Sequence, residues 1–308
     1  MFKPETSFAA FACGAGAQLR GESASDASSK AAILKRHLLP FFGIMTLPDV
    51  ARSVANNEYQ RAKASQGLTN KTINNQMVVL RALLRLAAAE RLLDDVPAIR
   101  GLAVVGSAPR CLNLGEAHRL VSLAEQEWRL MILCALSTGL TLSELRALKW
   151  EHVSLEDGVL VSPSPSRKCA RRQFPLCPAL VEEFRRAHNH KSHVFVRSAG
   201  DALTHGQCKW PLARAARAAG IVGLSWRHLR HTCCVQLLSA GTPRAIVQRL
   251  LGYQSNAALD RFQGHGLLLG EQPIHVLQDG QSHSAFLCQL EFISKNHAAL
   301  TSIIFGAA

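Results

Sequence analysis

The segment from Trp226 to Phe262 contains four short phrases in a fixed order. They read Trp226-Arg227-His228-Leu229-Arg230-His231-Thr232, Leu237-Leu238-Ser239-Ala240-Gly241, Leu250-Leu251-Gly252-Tyr253 and Asp260-Arg261-Phe262. Apolar residues recur between them at three- and four-residue steps, which predicts amphipathic helices. Each phrase alone would fit an ordinary apolar helical stripe, so the information lies in their order and spacing.

The four phrases together resemble the tyrosine recombinases, the family of the phage integrases. In that family they read His-x-Leu-Arg-His-Thr, Leu-Leu-x-Ala-Gly and Leu-Gly-His, followed by a tyrosine nine residues after the last histidine. Here Phe262 stands nine residues after Tyr253. The resemblance covers about residues 27–265. It implies a mainly α-helical chain, in which a small core-binding domain and a mostly helical catalytic-type domain with a small β-sheet close as a clamp on duplex DNA.

The resemblance also assigns the family's catalytic positions to residues of this chain. The family uses a tyrosine, two arginines, a lysine and two histidine-like positions. The first arginine belongs in a Thr-Gly-Leu-Arg-x-x-Glu-Leu phrase, which reads Thr138-Gly139-Leu140-Thr141-Leu142-Ser143-Glu144-Leu145 here. The residues that occupy the six positions are Thr141, Lys168, Arg227, Arg230, Tyr253 and Phe262.

Cleaving a phosphodiester by transesterification needs a nucleophile, cationic donors for the developing charge, and an acid for the leaving oxygen. Phe262 has no nucleophilic atom, and Thr141 brings no charge. Arg227 can bind phosphate but cannot shuttle a proton, because its pKa lies above 12. Arg146 follows Thr141 by more than a helical turn, so we expect it on the surface. We interpret the site as one that holds phosphates without breaking them.

Composition points to a polyanionic partner. The chain of 308 residues carries a formal net charge of +13 and a pI near 9.7, and nucleic acid is the first candidate. Residues 200–254 contain seven basic residues and Asp201 as their one acidic residue. The residues predicted to contact DNA are Arg230, Arg227, His228, Lys168, Arg167, Arg171, Tyr253, Lys209, Lys71, Arg81 and Arg85.

The clearest helix of the first half is predicted from Asn70 to about Leu92. Its apolar positions recur at three- and four-residue steps, and a basic, amide-bearing face lies opposite them. Thr69 or Asn70 can cap its start. The apolar positions are Ile73, Met77, Leu80, Leu84 and Ala87, and the polar face holds Lys71, Asn74, Asn75, Arg81 and Arg85.

Asn113-Leu114-Gly115-Glu116-Ala117 is typical of a helix start, and residues 158–162 and 173–176 are strand candidates that flank a basic turn.

We predict five segments along the chain. The segments are a flexible tail over 1–24, a helical core-binding-like domain over 25–97, a linker over 98–111, a catalytic-type domain over 112–265, and a tail over 266–308 that could contact a second protomer.

No cofactor, metal site or small-molecule substrate is expected. His188, His190 and His193 lie close together, but no cysteine or carboxylate stands at a supporting spacing. Nine scattered cysteines without a CxxC pair suggest a reducing compartment, and no signal peptide or membrane segment is evident, so we expect a soluble cytoplasmic protein.

Three functional hypotheses follow from the sequence. The first is an inactive tyrosine-recombinase relative that binds double-stranded DNA, as an accessory or regulatory factor in recombination or integration of a mobile element. Its candidate protein partners are an active recombinase or a second copy of the chain. The second is an active recombinase with a rearranged site that uses Tyr253 or a nucleophile from a partner. The third is a transcription or replication factor on the same scaffold.

Overall fold

The computed structural model describes residues 6–15, 24–96, 98–104, 109–163, 171–188, 191–196 and 202–262, without the side chains of residues 24, 25, 53 and 54. The chain divides into two compact units, Met1–Gly106 and Ser107–Ala308. The predicted tail over 266–308 lies outside the described residues.

The first unit is helical in its described part. A five-residue π-helical stretch, Leu34–Leu38, joins its second and third helices. The helices are α1 (Phe8–Ala15), α2 (Ala24–Ile33), α3 (Leu39–Phe42), α4 (Leu47–Ala51), α5 (Ser53–Ser65) and α6 (Asn70–Ala89).

Helix α6 is the long helix predicted from the sequence. The Thr69 side chain caps it by accepting a hydrogen bond from the backbone N–H of Thr72, at 3.3 Å. All five predicted apolar positions are buried. The helix ends at Ala89, three residues earlier than expected, because Arg91 adopts a left-handed conformation (φ 59°) directly after the C-cap residue Glu90.

Residues 8–15 correct the prediction of a flexible N-terminal tail. They form α1, in which Phe8, Phe11, Ala12 and Ala15 are buried on one face. The spacing of these four residues is that of an amphipathic helix, which an alanine- and glycine-rich composition obscures. The backbone of α1 is also fixed, since the N–H of Phe8 donates to the carbonyl of Met45 at 2.8 Å.

The segment 98–104, predicted as part of a linker, packs on α6. Ile99 is buried in the core of the first unit. The Asn74 amide both donates to the carbonyl of Leu102 and accepts from its N–H, at 2.9 and 2.8 Å. These contacts hold the segment in place through backbone groups, which composition alone does not reveal.

The second unit combines eight helices in its described part with a small sheet. The predicted start at Asn113 is confirmed: its side chain accepts from the N–H of Glu116, whose carboxylate accepts from the N–H of Asn113. The helices are α7 (Leu114–Ser122), α8 (Gln126–Thr138), α9 (Leu142–Arg146), α10 (Pro178–Ala187), α11 (His205–Ala218), α12 (Trp226–Ser239), α13 (Arg244–Leu251) and α14 (Ala257–Asp260).

Three short antiparallel strands form the sheet, β1 (Val153–Ser154), β2 (Val159–Val161) and β3 (Gln173–Pro175). Strands β2 and β3 are those predicted, and they pair with Leu160 opposite Phe174. Strand β1 was not predicted, because two residues are too few for an alternating pattern. The mainly helical fold class with a small sheet is therefore confirmed.

Helices α8 and α12 form the centre of the second unit's core. Met131 to Leu136 of α8 and Cys233, Cys234, Val235 and Leu237 of α12 are buried. The adjacent Cys233 and Cys234 are both buried. Desolvation raises the pKa of Cys234, and that of Cys134 on α8, to about 12 each. Within the described part of the chain, no helix has the length and apolar character needed to cross a membrane.

Replacing Phe8 by alanine tests whether α1 is part of the folded first unit. Its ring is fully buried and meets Phe42 edge to face at 5.9 Å. We expect Phe8→Ala to lower the free energy of unfolding by about 3–5 kcal/mol, measured by urea denaturation. Ile44→Ala is the control, because Ile44 is 96% exposed. Equal stability of the two variants would show that α1 is not docked.

Candidate functional site

A cavity of about 680 Å³ in the second unit brings together four of the six positions that the resemblance singled out, Thr141, Arg227, Arg230 and Tyr253. Four cationic side chains line it, those of Lys209, Arg227, Arg230 and Arg261, and its lining contains no carboxylate. The other lining residues are Thr141, Leu142, His205, Leu212, Leu224, Ser225, Trp226, His231 and Tyr253. The excess of positive charge favours an anion as the ligand of this cavity.

Arg230 is held by the backbone on two sides. It lies in the first half of α12, and one terminal nitrogen donates to the carbonyl of Gly139 at 2.7 Å, while the other donates to the carbonyl of Leu251. Its guanidinium lies 5.0 Å from the centroid of the Tyr253 ring. A guanidinium fixed in this way loses little conformational entropy when it binds an anion.

Two glycines make this arrangement possible. Gly139 ends α8 and Gly252 ends α13, both in the left-handed conformation, with φ of 65° and 67°. A Cβ at Gly139 would collide with the Leu251 side chain, and one at Gly252 with the guanidinium of Arg172. Each glycine therefore turns the chain and lets another group approach its backbone.

Arg172, which the sequence analysis did not single out, forms a buried ion pair with Glu144. Their side chains are 10% and 2% exposed. Arg172 also donates to the carbonyl of Leu251 at 3.0 Å, the same oxygen that Arg230 uses. The pair of adjacent arginines before Gln173 was the available signal, but sequence alone could not tell which one turns inward.

Thr141 lines the cavity and caps α9. Its hydroxyl donates to the Glu144 carboxylate at 2.8 Å and accepts from the N–H of Glu144 at 3.4 Å. Since a threonine hydroxyl has a single proton, that proton is committed to the cap. Thr141 therefore supplies neither charge nor a free O–H donor to an anion in the cavity.

The two tyrosines of the chain are Tyr59 and Tyr253, and both hydroxyl groups are buried. Tyr59 lies in the first unit and donates to the Gln76 side chain at 2.7 Å, and burial raises its pKa. The Tyr253 hydroxyl has no hydrogen-bond partner among the described residues. Neither oxygen is presented to solvent.

Phe262 forms part of an aromatic cluster next to the cavity. Its ring is 3% exposed and lies 5.3 Å from the ring of His231 and 6.2 Å from that of Tyr253, between centroids. The guanidinium of Arg261 lies 4.8 Å from the Phe262 centroid. Arg261 belongs to the motif Asp260-Arg261-Phe262, but its role as a cavity cation was missed, because the side-chain direction in this turn is not visible in the sequence.

Two histidines near the cavity, His231 and His228, have a lowered pKa. Burial lowers the pKa of His231 to about 4, and Arg261 and Arg227 add to the effect. Its Nε2 accepts from the Nε of Arg227 at 3.4 Å. His228 caps α12 by accepting from the N–H of Ser225 at 3.1 Å, and burial followed by Arg110 and Arg227 lowers its pKa as well.

Several predicted residues lie elsewhere. Arg171 is exposed and is not among the residues that line the cavity. Arg146 was expected on the surface, but it is half-buried and donates to the carbonyl of Leu203 at 2.5 Å, because α9 turns it toward that segment. Lys168 and Arg167 lie outside the described residues. Lys71, Arg81 and Arg85 belong to α6 of the first unit.

The cavity can hold an anion, but none of the described residues that line it presents an accessible tyrosine oxygen. No group of three or more histidine, cysteine, aspartate or glutamate side chains in the described segments could hold a metal ion. His190, one of the histidines considered for a metal, lies outside those segments.

Removing the Arg172 side chain should destabilise the second unit strongly. Arg172→Met leaves the Glu144 carboxylate buried without its cation, which costs about 3–5 kcal/mol of unfolding free energy. Arg171→Met is the matched control, since Arg171 is exposed and adjacent. Adding Glu144→Gln to Arg172→Met should recover part of the loss, because the buried charge is then gone. Similar urea midpoints for both single variants would contradict the structural role of the pair.

The lowered pKa of His231 predicts how stability depends on pH. The folded state keeps His231 neutral down to about pH 4, whereas the unfolded chain takes up the proton near its ordinary value of 6.5. The contribution of His231 to the free energy of unfolding is therefore fully present above about pH 6.5 and is lost as the pH drops toward 4. The loss amounts to about 2 kcal/mol between pH 7 and pH 5.

Urea denaturation of wild type and His231→Gln over this pH range measures the effect. In His231→Gln, the free energy of unfolding should no longer fall by this amount between pH 7 and pH 5. In His205→Gln the fall should remain, because His205 is exposed. An unchanged slope in His231→Gln would contradict the assignment.

The chain is similar in sequence to phage integrases and tyrosine recombinases. Residues 111–263 match the model of the phage integrase family. The integrase of Salmonella phage P22 is 28% identical over 201 residues, which cover 59% of this chain and 51% of that integrase. Tyrosine recombinase XerA of Thermococcus kodakarensis is 29% identical over 199 residues, which cover 61% of this chain and 69% of that protein. The chain thus spans about half the length of the phage P22 relative.

Solved structures share the fold. The transposon Tn1549 integrase in complex with a circular intermediate DNA has a TM-score of 0.74 at 16% identity, covering 84% of this chain and 95% of that one. A lambda integrase dimer bound to a COC′ core site has a TM-score of 0.69 at 16% identity, covering 82% and 97%. With the motif order, the family match over residues 111–263 and these relatives, the chain belongs to the tyrosine recombinase family of phage integrases.

Proposed function

We propose that this protein binds duplex DNA through its phosphates and does not cut it. The Tn1549 and lambda integrases that share its fold are described in complex with DNA. The chain's net charge of +13 and the acid-free lining of the cavity are compatible with the same kind of ligand.

The observation that carries the proposal is the absence of an accessible tyrosine hydroxyl. The chain contains two tyrosines, and both oxygens are buried in the structure. At the position where the family resemblance places the nucleophile, Phe262 offers only a ring. Loss of a nucleophile lowers a rate by about 10⁴- to 10⁶-fold, which here leaves essentially no strand cleavage.

A second feature points the same way. The resemblance places Thr141 at the first arginine, and its hydroxyl proton is bound to Glu144. Removing one transition-state donor lowers a rate by about 10²- to 10³-fold. The cations that remain, Arg227, Arg230, Arg261 and Lys209, suit phosphate binding, which needs charge but no nucleophile.

For the DNA contact we propose Arg230, Arg227, Lys209 and Arg261 at the cavity. We also propose Tyr253, which lines the cavity, and His228 of α12. Arg171, Lys168 and Arg167 are proposed from the sequence alone. The first unit would contribute from α6, as a core-binding-like domain joined by the segment near residues 98–111. Residues 266–308 would serve in contacts between protomers.

The biological role we propose is an accessory or regulatory factor beside an active recombinase of a mobile element. An active enzyme that uses Tyr253 is disfavoured by the buried hydroxyl of that residue. A transcription or replication factor on the same scaffold remains the alternative. Recombination frequency distinguishes these two roles when the protein is added to an active recombinase of its own genetic neighbourhood. An accessory factor changes that frequency, and a transcription or replication factor does not.

Covalent trapping tests the proposal directly. The protein is incubated with nicked duplex fragments from its genetic neighbourhood, denatured, and examined for a DNA-bearing protein band, while binding to the same fragments is measured. We expect retention of the DNA without any covalent adduct. An adduct, or no binding to any fragment, would contradict the proposal, and mapping an adduct would identify the oxygen that formed it.

The salt dependence of binding identifies the phosphate contacts. Log affinity should fall linearly with log salt, with a slope of roughly −0.9 per neutralised phosphate. We expect Arg227→Ala to reduce the slope by about one such unit without changing the base preference. Arg185→Ala is the control, because Arg185 is exposed on α10 and pairs with Glu182. Equal slopes for Arg227→Ala and wild type would remove Arg227 from the interface.

A further inference from the structure

The cavity lacks a cation at the position where the family resemblance places its first arginine. Thr141 stands there, and the proton of its hydroxyl is bound to the Glu144 carboxylate. Of the two arginines on or against α9, Arg146 donates to the carbonyl of Leu203, and Arg172 pairs with the buried Glu144. Neither arginine is among the residues that line the cavity, so a phosphate there depends on cations from other elements.

Arg261 is a cation at none of the six positions that the resemblance assigns. Its side chain lines the cavity and is exposed. The carboxylate next to it in the chain, that of Asp260, pairs instead with Arg244 at 2.5 Å, and no ion pair to Arg261 occurs among the described residues. Its guanidinium donors are therefore available to an anionic ligand.

The ring of Tyr253 brings Arg261 and Arg230 to the same part of the cavity. The guanidinium of Arg230 lies 5.0 Å from the centroid of this ring, and that of Arg261 lies 5.7 Å from it. Arg261 also contacts the ring of Phe262, at 4.8 Å. Aromatic rings orient a planar guanidinium, and its fork can then donate two parallel hydrogen bonds to a phosphate. An anion beside the Tyr253 ring is within reach of both arginines.

Arg227 is the other exposed guanidinium of the cavity, but it differs from Arg261 in two respects. Its Nε donates to the Nε2 of His231 at 3.4 Å, so one of its donors is already used. It also stands where the resemblance places a histidine, and there it substitutes one hydrogen-bond donor for another. Arg261 instead adds a cation at a position outside that set, which offsets the missing charge at Thr141.

We propose that Arg261 supplies the cationic phosphate contact that Thr141 does not, so that Arg230 and Arg261 together clamp one phosphodiester of the DNA beside Tyr253. The inference rests on the proposed DNA binding and adds to it a second guanidinium for the phosphate in the cavity. It requires that an arginine at position 141 or at position 261 is sufficient for this contact.

Rescue of binding tests this requirement on the duplex fragment that the wild-type chain retains. Arg261→Ala should weaken binding by roughly 10- to 150-fold, because a charge-assisted contact is removed. Adding Thr141→Arg to Arg261→Ala should restore most of the affinity, whereas adding it to Arg227→Ala should not. Arg217→Ala is the control and should bind like wild type, since Arg217 is exposed on α11 and does not line the cavity.

Duplexes with a single uncharged methylphosphonate linkage test whether the two arginines hold one phosphate. One such linkage should weaken binding of wild type and of Arg217→Ala but have little further effect on Arg261→Ala, because that contact is already absent. The same linkage should have a reduced effect on Arg230→Gln, which keeps an amide donor for the backbone carbonyls. Urea denaturation checks that each variant is folded, and if loss of the α9 cap unfolds Thr141→Arg, the linkage scan decides alone.

Three results would overturn the inference and leave the proposed DNA binding intact. The first is wild-type affinity in Arg261→Ala. The second is a folded Thr141→Arg/Arg261→Ala variant that regains no affinity, or equal rescue of Arg227→Ala. The third is loss of sensitivity at different linkages in Arg261→Ala and Arg230→Gln. If the wild-type chain binds no DNA at all, the proposed function fails and this inference fails with it.

Discussion

The carbonyl oxygen of Leu251 is the point on which the site depends. It accepts hydrogen bonds from Arg230 of α12 and from Arg172 at the start of the β3 segment. Arg172 carries the buried Glu144 of α9 on its other side, and Glu144 fixes Thr141. One buried ion pair and one shared acceptor therefore hold four parts of the second unit in register. A buried pair of this kind contributes little net stability, but losing one partner is costly, which makes the arrangement specific.

Four cations and no carboxylate line the cavity, and Phe262 belongs to the aromatic cluster next to it. Phe262 packs against His231 and Tyr253, which are ring contacts that need no hydroxyl. Under the proposed function, binding a phosphate and attacking it are separable, because cations can hold a phosphate without a nucleophile that forms the new bond.

The first unit illustrates how one helix divides its polar residues between structure and surface. Asn74 and Asn75 are chemically identical neighbours, yet Asn74 bonds the backbone of Leu102 and Asn75 is exposed. The same division separates Arg81, which donates to the carbonyl of Ile99, from the exposed Arg85.

The local sequence pattern and the chemistry of single side chains were enough to predict many features of this protein. The periodicity of α6, the capping residues Thr69 and Asn113, the β2–β3 pair and the lack of a nucleophilic atom in Phe262 all depend on residues close together in the sequence. Tertiary structure alone decided the inward turn of Arg172, whose acceptor Leu251 is 79 residues away, the cavity position of Arg261, the burial of both tyrosine hydroxyls and the packing of α1. Such features depend on which distant groups meet, and a sequence pattern records only the neighbours of each residue along the chain.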